Sequence, residues 1–103
     1  METDVQEAGG AQRERLAHVD FRLFFLGEVS RADISGRFDV APAVATRDLA
    51  RYRTLAPNNI RFDGSSKTYR ATDEFKPLFE HSLDRALSAL RASETGWEAR
   101  RAV

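Results

Sequence analysis

The chain has 103 residues, 42% hydrophobic and 31% charged, which suits one soluble globular domain and excludes a disordered or fibrous chain. It has no cysteine, so disulfides, thiolate metal sites and cysteine nucleophiles are excluded. Its 16 Lys/Arg balance 16 Asp/Glu, and that neutral total argues against a bulk binder of polyanions.

Residues 1–10 carry three acids and no base and end in Gly9-Gly10, the composition of a flexible lead. No basic-then-apolar leader follows Met1. The longest strongly apolar run, Leu23 to Leu26, is far short of the roughly 20 residues of a membrane helix. A cytoplasmic chain with no membrane contact is expected. From Ala11 the pattern is helical, and Leu16, Val19, Phe21, Leu23, Phe24 and Leu26 make a broad apolar face that other elements must cover. Gly27 stops this helix as a C-terminal cap.

Ser30-Arg31-Ala32-Asp33 is a variant of the capping box and opens a short helix over residues 30–38 that buries Ile34 and Phe38. Asp39-Val40-Ala41-Pro42 breaks the pattern, and Pro42 suits the first turn of a third helix, where its missing N–H would be unpaired anyway. That helix runs to about Leu55, with Ala45, Leu49 and Tyr52 on its inward face, and Pro57-Asn58-Asn59 ends it.

Residues 60–70 alternate. Ile60 and Phe62 are expected to face inward and Arg61 and Asp63 outward; Gly64-Ser65-Ser66-Lys67 turns the chain and Tyr69 returns to the inner face, which makes a hairpin. Thr72 or Asp73 caps a final helix entered through Pro77, with Phe79, Leu83, Ala86/Leu87 and Leu90 at three-to-four spacing. It ends near Ser93, and residues 94–103 read as a frayed tail that Trp97 could anchor. The expected fold is mainly α with a small β-hairpin. Residues 11–72 form a winged helix-turn-helix, because the gap between helices two and three leaves room only for a tight turn, and residues 73–93 form a C-terminal linker or dimerisation helix.

The stretch Gly27-Glu28-Val29-Ser30-Arg31-Ala32-Asp33-Ile34 through Phe38-Asp39-Val40-Ala41-Pro42, with Ala45-Thr46-Arg47-Asp48-Leu49-Ala50-Arg51-Tyr52, resembles the DeoR-type helix-turn-helix. More narrowly, four strings resemble the N-terminal domain of WYL-domain repressors, which control bacterial anti-phage defence operons such as BREX and CBASS. They are Gln12-Arg13-Glu14-Arg15-Leu16, Phe21-Arg22-Leu23-Phe24-Phe25-Leu26-Gly27, Ala56-Pro57-Asn58-Asn59 and Lys67-Thr68-Tyr69. The resemblance covers residues 11–80 and implies a DNA-binding transcriptional regulator, a repressor. In that family a WYL effector-sensing domain and a dimerisation extension follow. No Trp-Tyr-Leu string occurs here, so the expectation is an isolated DNA-binding domain or a truncated relative, with no small-molecule ligand of its own.

Charge supports that implication locally. Residues 41–70 hold six bases (Arg47, Arg51, Arg53, Arg61, Lys67, Arg70) against two acids (Asp48, Asp63), enough for one face that meets phosphate. In this reading the third helix enters the major groove of double-stranded DNA and presents Ala43, Val44, Thr46, Arg47, Ala50 and Arg51. Arg47 is the candidate for a bidentate contact to guanine, worth about 1–3 kcal/mol of discrimination. Thr46 suits a base or phosphate and Val44 a thymine methyl. Arg61, Lys67 and Arg70 are the wing cations for phosphate or the minor groove. Arg13 and Arg53 read as backbone contacts or surface charge, and the alternative for Arg47 and Arg51 is likewise a solvated face. Asp48 is expected to hold Arg47 and Arg51 in place through helical pairing.

Phe79, Leu83, Leu87 and Leu90 form an apolar seam that either packs on helix one or joins two copies into a homodimer on a palindromic operator. The competing function is a winged helix used as a protein-interaction or dimerisation module without direct DNA reading. Catalysis has little support. His18 and His81 fall on different helices, neither has an acid–histidine spacing that suggests a metal site, and no serine lies in a Gly-x-Ser-x-Gly elbow. Gly64-Ser65-Ser66-Lys67-Thr68 fails as a phosphate-binding loop, since Ser66 and Arg61 stand where glycines are required. No enzyme, cofactor or metal is expected.

Overall fold

A computed structural model describes residues 9–81. Three helices, α1 (Gly10–Leu26), α2 (Arg31–Phe38) and α3 (Pro42–Leu55), pack beside a small antiparallel sheet of β1 (Glu28–Val29), β2 (Ile60–Asp63) and β3 (Thr68–Ala71). The sheet order is β1-β3-β2, so β3 is central. This is a mainly α winged-helix architecture.

Local chemistry sets most boundaries. Gly27 takes the left-handed conformation, φ 78°, and its N–H closes α1 onto the Leu23 carbonyl at 3.1 Å. The box at α2 is complete: the Asp33 N–H donates to the Ser30 hydroxyl at 3.2 Å, and the Ser30 N–H donates to the Asp33 carboxylate at 2.8 Å. Asp39, at φ 53°, is the left-handed residue that turns the chain from α2 towards α3. Pro42 opens α3, as its position requires.

The core joins all three helices to the sheet: Leu16, Val19 and Leu23 from α1, Val29 from β1, Ile34 from α2, Ala45, Leu49, Tyr52 and Leu55 from α3, then Ala56 and Ile60. The broad face expected on α1 is only partly covered, since its Phe24 and Leu26 stay 47% and 44% exposed, beside Phe25 at 39%. His18 packs between Phe21 and Phe38, with ring centroids 5.8 and 5.4 Å away.

Three expectations are corrected. First, the hairpin gains a third strand, because Val29 pairs with Tyr69 and Glu28 with Arg70. Second, Phe62 does not enter the core. It shares a face with Ile60 but lies two pairs nearer the hairpin tip, where Tyr69, its partner with ring centroids 4.9 Å apart, leaves it 46% exposed.

Third, residues 73–81 are turns and irregular chain rather than the start of a helix. The Phe75 N–H closes a turn onto the Thr72 carbonyl at 3.1 Å, and from Lys76 onward backbone groups go to side chains. The Lys76 N–H donates to Asn59 Oδ1 at 2.9 Å, and the Lys76 carbonyl accepts from Asn59 Nδ2 at 2.6 Å. Pro77 has no N–H, and the N–H groups of Leu78 and Phe79 donate to the Asp20 carboxylate at 3.0 Å. Of the expected seam, Phe79 is half-buried against the core, with the Arg13 guanidinium 5.4 Å from its ring centre. Leu83, Leu87 and Leu90, the tail 94–103 with Trp97, and residues 1–8 of the expected lead lie outside the described residues. Gly10 begins α1 rather than ending the lead.

Candidate nucleic-acid interface

The 3.6-residue period of α3 divides it into two faces. Ala45, Asp48, Leu49, Tyr52 and Leu55 are buried, which turns Ala43, Thr46, Arg47, Ala50 and Thr54 outward as one exposed stripe. Arg47 lies within this stripe, and among the described residues it has no hydrogen-bond or ion-pair partner. Val44 is half-buried at the margin. Arg51 is also half-buried and is held by neighbouring groups, so it stands at the flank of the stripe. Thr46 donates its hydroxyl to the Pro42 carbonyl at 3.1 Å, which fixes its rotamer.

Asp48 has a different role from the one its spacing implied. Its carboxylate is 1% exposed and takes Arg15 of α1 at 2.5 Å, so it braces α3 against α1. A buried carboxylate requires a cation or several donors, and α1 supplies one. Arg31 was missed by sequence reasoning. It is exposed on the first turn of α2, and its guanidinium lies 3.5 Å from the Thr46 hydroxyl, beside the outward stripe of α3. The signal available was its place one residue after the Ser30 cap, where a helix-turn-helix brings its first helix towards the backbone.

The wing supplies two exposed cations and one engaged one. Lys67 stands at the hairpin tip with φ 56°, a left-handed conformation that the neighbouring Ser66–Thr68 hydroxyl pair, 2.6 Å apart, helps to hold. Arg61 is exposed on the outer face of β2. Arg70, its register partner, binds Asp63 at 3.0 Å and Glu28 at 2.9 Å and so staples all three strands. Hydrogen bonds from the Ser65 hydroxyl and from Arg70 hold the Asp63 carboxyl far below the usual carboxylate range. The same Asp63 contact raises the Arg70 guanidinium above its ordinary value. Arg70 therefore shapes the wing and presents a partly neutralised charge.

The arrangement offers hydrogen-bond donors and positive charge on a helix and a hairpin. Among the described residues no three His, Asp or Glu side chains group as metal ligands. No described helix is long and apolar enough to cross a membrane.

Comparison with known proteins gives a consistent result. The family model for the BrxR transcriptional regulator winged helix-turn-helix domain matches residues 11–92. The DNA-binding transcriptional repressor CapW of Escherichia coli (strain KTE188) is 36% identical over 74 residues, 72% of this chain and 25% of the relative. The protein of the same name from Pseudomonas aeruginosa is 34% identical over 77 residues, 75% of this chain and 26% of the relative. That from Stenotrophomonas maltophilia is 38% identical over 71 residues, 69% and 24% of the two chains. The chain thus spans about a quarter of the length of these curated relatives.

Proposed function

The chain belongs to the BrxR transcriptional regulator winged helix-turn-helix family, and from that premise we propose that it binds operator DNA in the cytoplasm as a transcriptional repressor. In this reading α3 lies in the major groove and the β2–β3 hairpin touches the backbone. The observation that carries it is the outward stripe of α3, where Arg47 stands exposed with no described partner while the opposite face anchors the helix in the core. Arg47 reads a guanine edge, Thr46 and Ala43 lie close to the bases, and Val44 and Arg51 flank them. Arg61 and Lys67 contact phosphate, which positions the domain without reading sequence. Arg70 contributes by holding the wing in shape.

One small domain on one half-site buries limited surface, so operator affinity favours a homodimer on a palindrome. The seam of Phe79, Leu83, Leu87 and Leu90 is our candidate for the dimer contact. Control of an anti-phage defence operon is the role implied by the resemblance to WYL-domain repressors. A second reading, a protein-interaction module, draws on Phe24, Phe25 and Leu26, which remain 47%, 39% and 44% exposed on α1.

Salt separates the two. A fluorescence-anisotropy titration with duplex from upstream of the protein's own gene, against a shuffled duplex, is run at low and moderate salt. Preference for the upstream duplex, with affinity falling steeply as salt rises, supports DNA reading. Lys67→Asn keeps a residue that tolerates φ 56° and removes its charge. It should weaken both duplexes alike and lower the salt slope by about one. Absence of binding at low salt would refute the DNA reading and leave the protein-interaction module.

A further inference from the structure

Asp20 lies on α1 and is fully buried, an arrangement that isolated carboxylates do not tolerate. Four donors from two separate parts of the chain satisfy it. From α3 comes the Tyr52 hydroxyl, which donates to Asp20 Oδ1. From residues 78–81 come the Leu78 N–H at 3.0 Å, the Phe79 N–H at 3.0 Å and His81 Nε2 at 2.7 Å. The circuit closes through Asn59, whose amide donates to the Tyr52 hydroxyl at 3.1 Å and to the Lys76 carbonyl at 2.6 Å. Burial, and then the Asp20 charge, hold the Tyr52 hydroxyl far above its ordinary range, so it stays a donor. His81 also lies over the aromatic end of α1, 5.9 Å from Phe24 and 6.1 Å from Phe21 between ring centroids.

Residues 76–81, the exit segment by which the chain leaves the β2–β3 hairpin, are therefore not a free linker. Leu78, Phe79 and His81 share the buried Asp20 carboxylate with Tyr52, in the C-terminal half of the helix proposed for the major groove. We propose that Asp20 is a positioning residue that couples residues 76–81 to α3, so that the seating of the recognition helix depends on whether this exit segment is docked. The inference rests on the DNA-binding reading for its effect on affinity, but the coupling itself does not need DNA.

Two mild variants test it in the full chain, each removing one donor from one side. His81→Ala acts on the exit segment only and Tyr52→Phe on α3 only, and neither residue is among the proposed DNA contacts. Amide hydrogen exchange without DNA is the first readout. His81→Ala should speed exchange in the last turn of α3, and Tyr52→Phe should speed it at Leu78 and Phe79. Operator affinity is the second. Each variant should lose about fivefold, the weight of roughly one net hydrogen bond, and the double variant should lose little more than either single one. Asp20→Asn should lose more than both.

Exchange changes confined to the mutated element, or additive losses in the double variant, would overturn the coupling. Should wild-type protein fail to bind the operator while the exchange effects remain reciprocal, the coupling stands and the DNA-binding reading fails.

Discussion

Asp48 in the helical body and Asp63 in the wing both hold an arginine, but their surroundings give the two pairs different weights. Asp48 is 1% exposed and links α3 to α1 across 33 residues of sequence, so nothing in solvent can replace Arg15 if the pair is broken. Asp63 sits at the start of its own turn, accepts from Ser65 at 2.7 Å, and shares Arg70 with Glu28 in view of solvent. Exposed pairs of this kind contribute little to global stability. The helical body thus fixes where α3 points, while the wing is shaped by local bonds that water can exchange. For the DNA reading proposed above, that division would give base register from the rigid helix and only proximity to phosphate from the wing.

The largest expected effect breaks the body's pair. Asp48→Asn removes the charge, leaves Arg15 without its partner, and should cost about 3 kcal/mol in urea or thermal unfolding. A loss no larger than that of a surface substitution would show that the buried pair does not brace the helix.

A smaller effect comes from pH. Burial, followed by the charges of Arg22 and Arg37, lowers His18 to about 4 from an ordinary value of 6.5. The folded protein then binds fewer protons at this site than the unfolded chain between those two values. The associated stability is fully present above pH 6.5 and is lost as pH falls towards 4, with about 2 kcal/mol gone by pH 5. His18→Phe keeps a ring between Phe21 and Phe38 and should flatten the stability profile between pH 7 and 5 relative to wild type. Parallel profiles for the two proteins would contradict the assignment.

The smallest effect sharpens the comparison from the wing's side. Asp63→Ala should scarcely move the unfolding midpoint. It should speed amide exchange between residues 63 and 68 and free Arg70 from one of its two partners. A midpoint shift as large as that of Asp48→Asn would erase the distinction between the two regions.

What sequence made legible follows the same division between local and distant causes. The Ser30–Asp33 box, the Gly27 stop, Pro42 at the head of α3 and the inward row Ala45, Leu49, Tyr52 all depend on residues within a few positions of one another. The outward stripe of α3 was legible for that reason too. Glu28–Val29 is too short to show alternation and becomes a strand only because Arg70 and Tyr69 pair with it. Asp48 looked like a partner for its helical neighbours because Arg15 is remote in sequence. The stretch 73–81 departs most from its sequence pattern. Its spacing suited a helix from 73, but Asn59 and Asp20, 17 and about 60 residues away, take the backbone groups of 76–79. Arg51 and Arg70 are plain cations in the sequence, and only their neighbours in space distinguish them from Arg47.

The measurement that tests the central claim most directly is the specificity ratio of Arg47→Ala. Wild type and variant are titrated by anisotropy against the upstream duplex and its shuffled counterpart at one moderate salt concentration. The account predicts that the variant loses about tenfold or more on the upstream duplex and far less on the shuffled one, as the removal of a base contact requires. Equal losses on both duplexes, or none, would show that the exposed face of α3 does not read sequence.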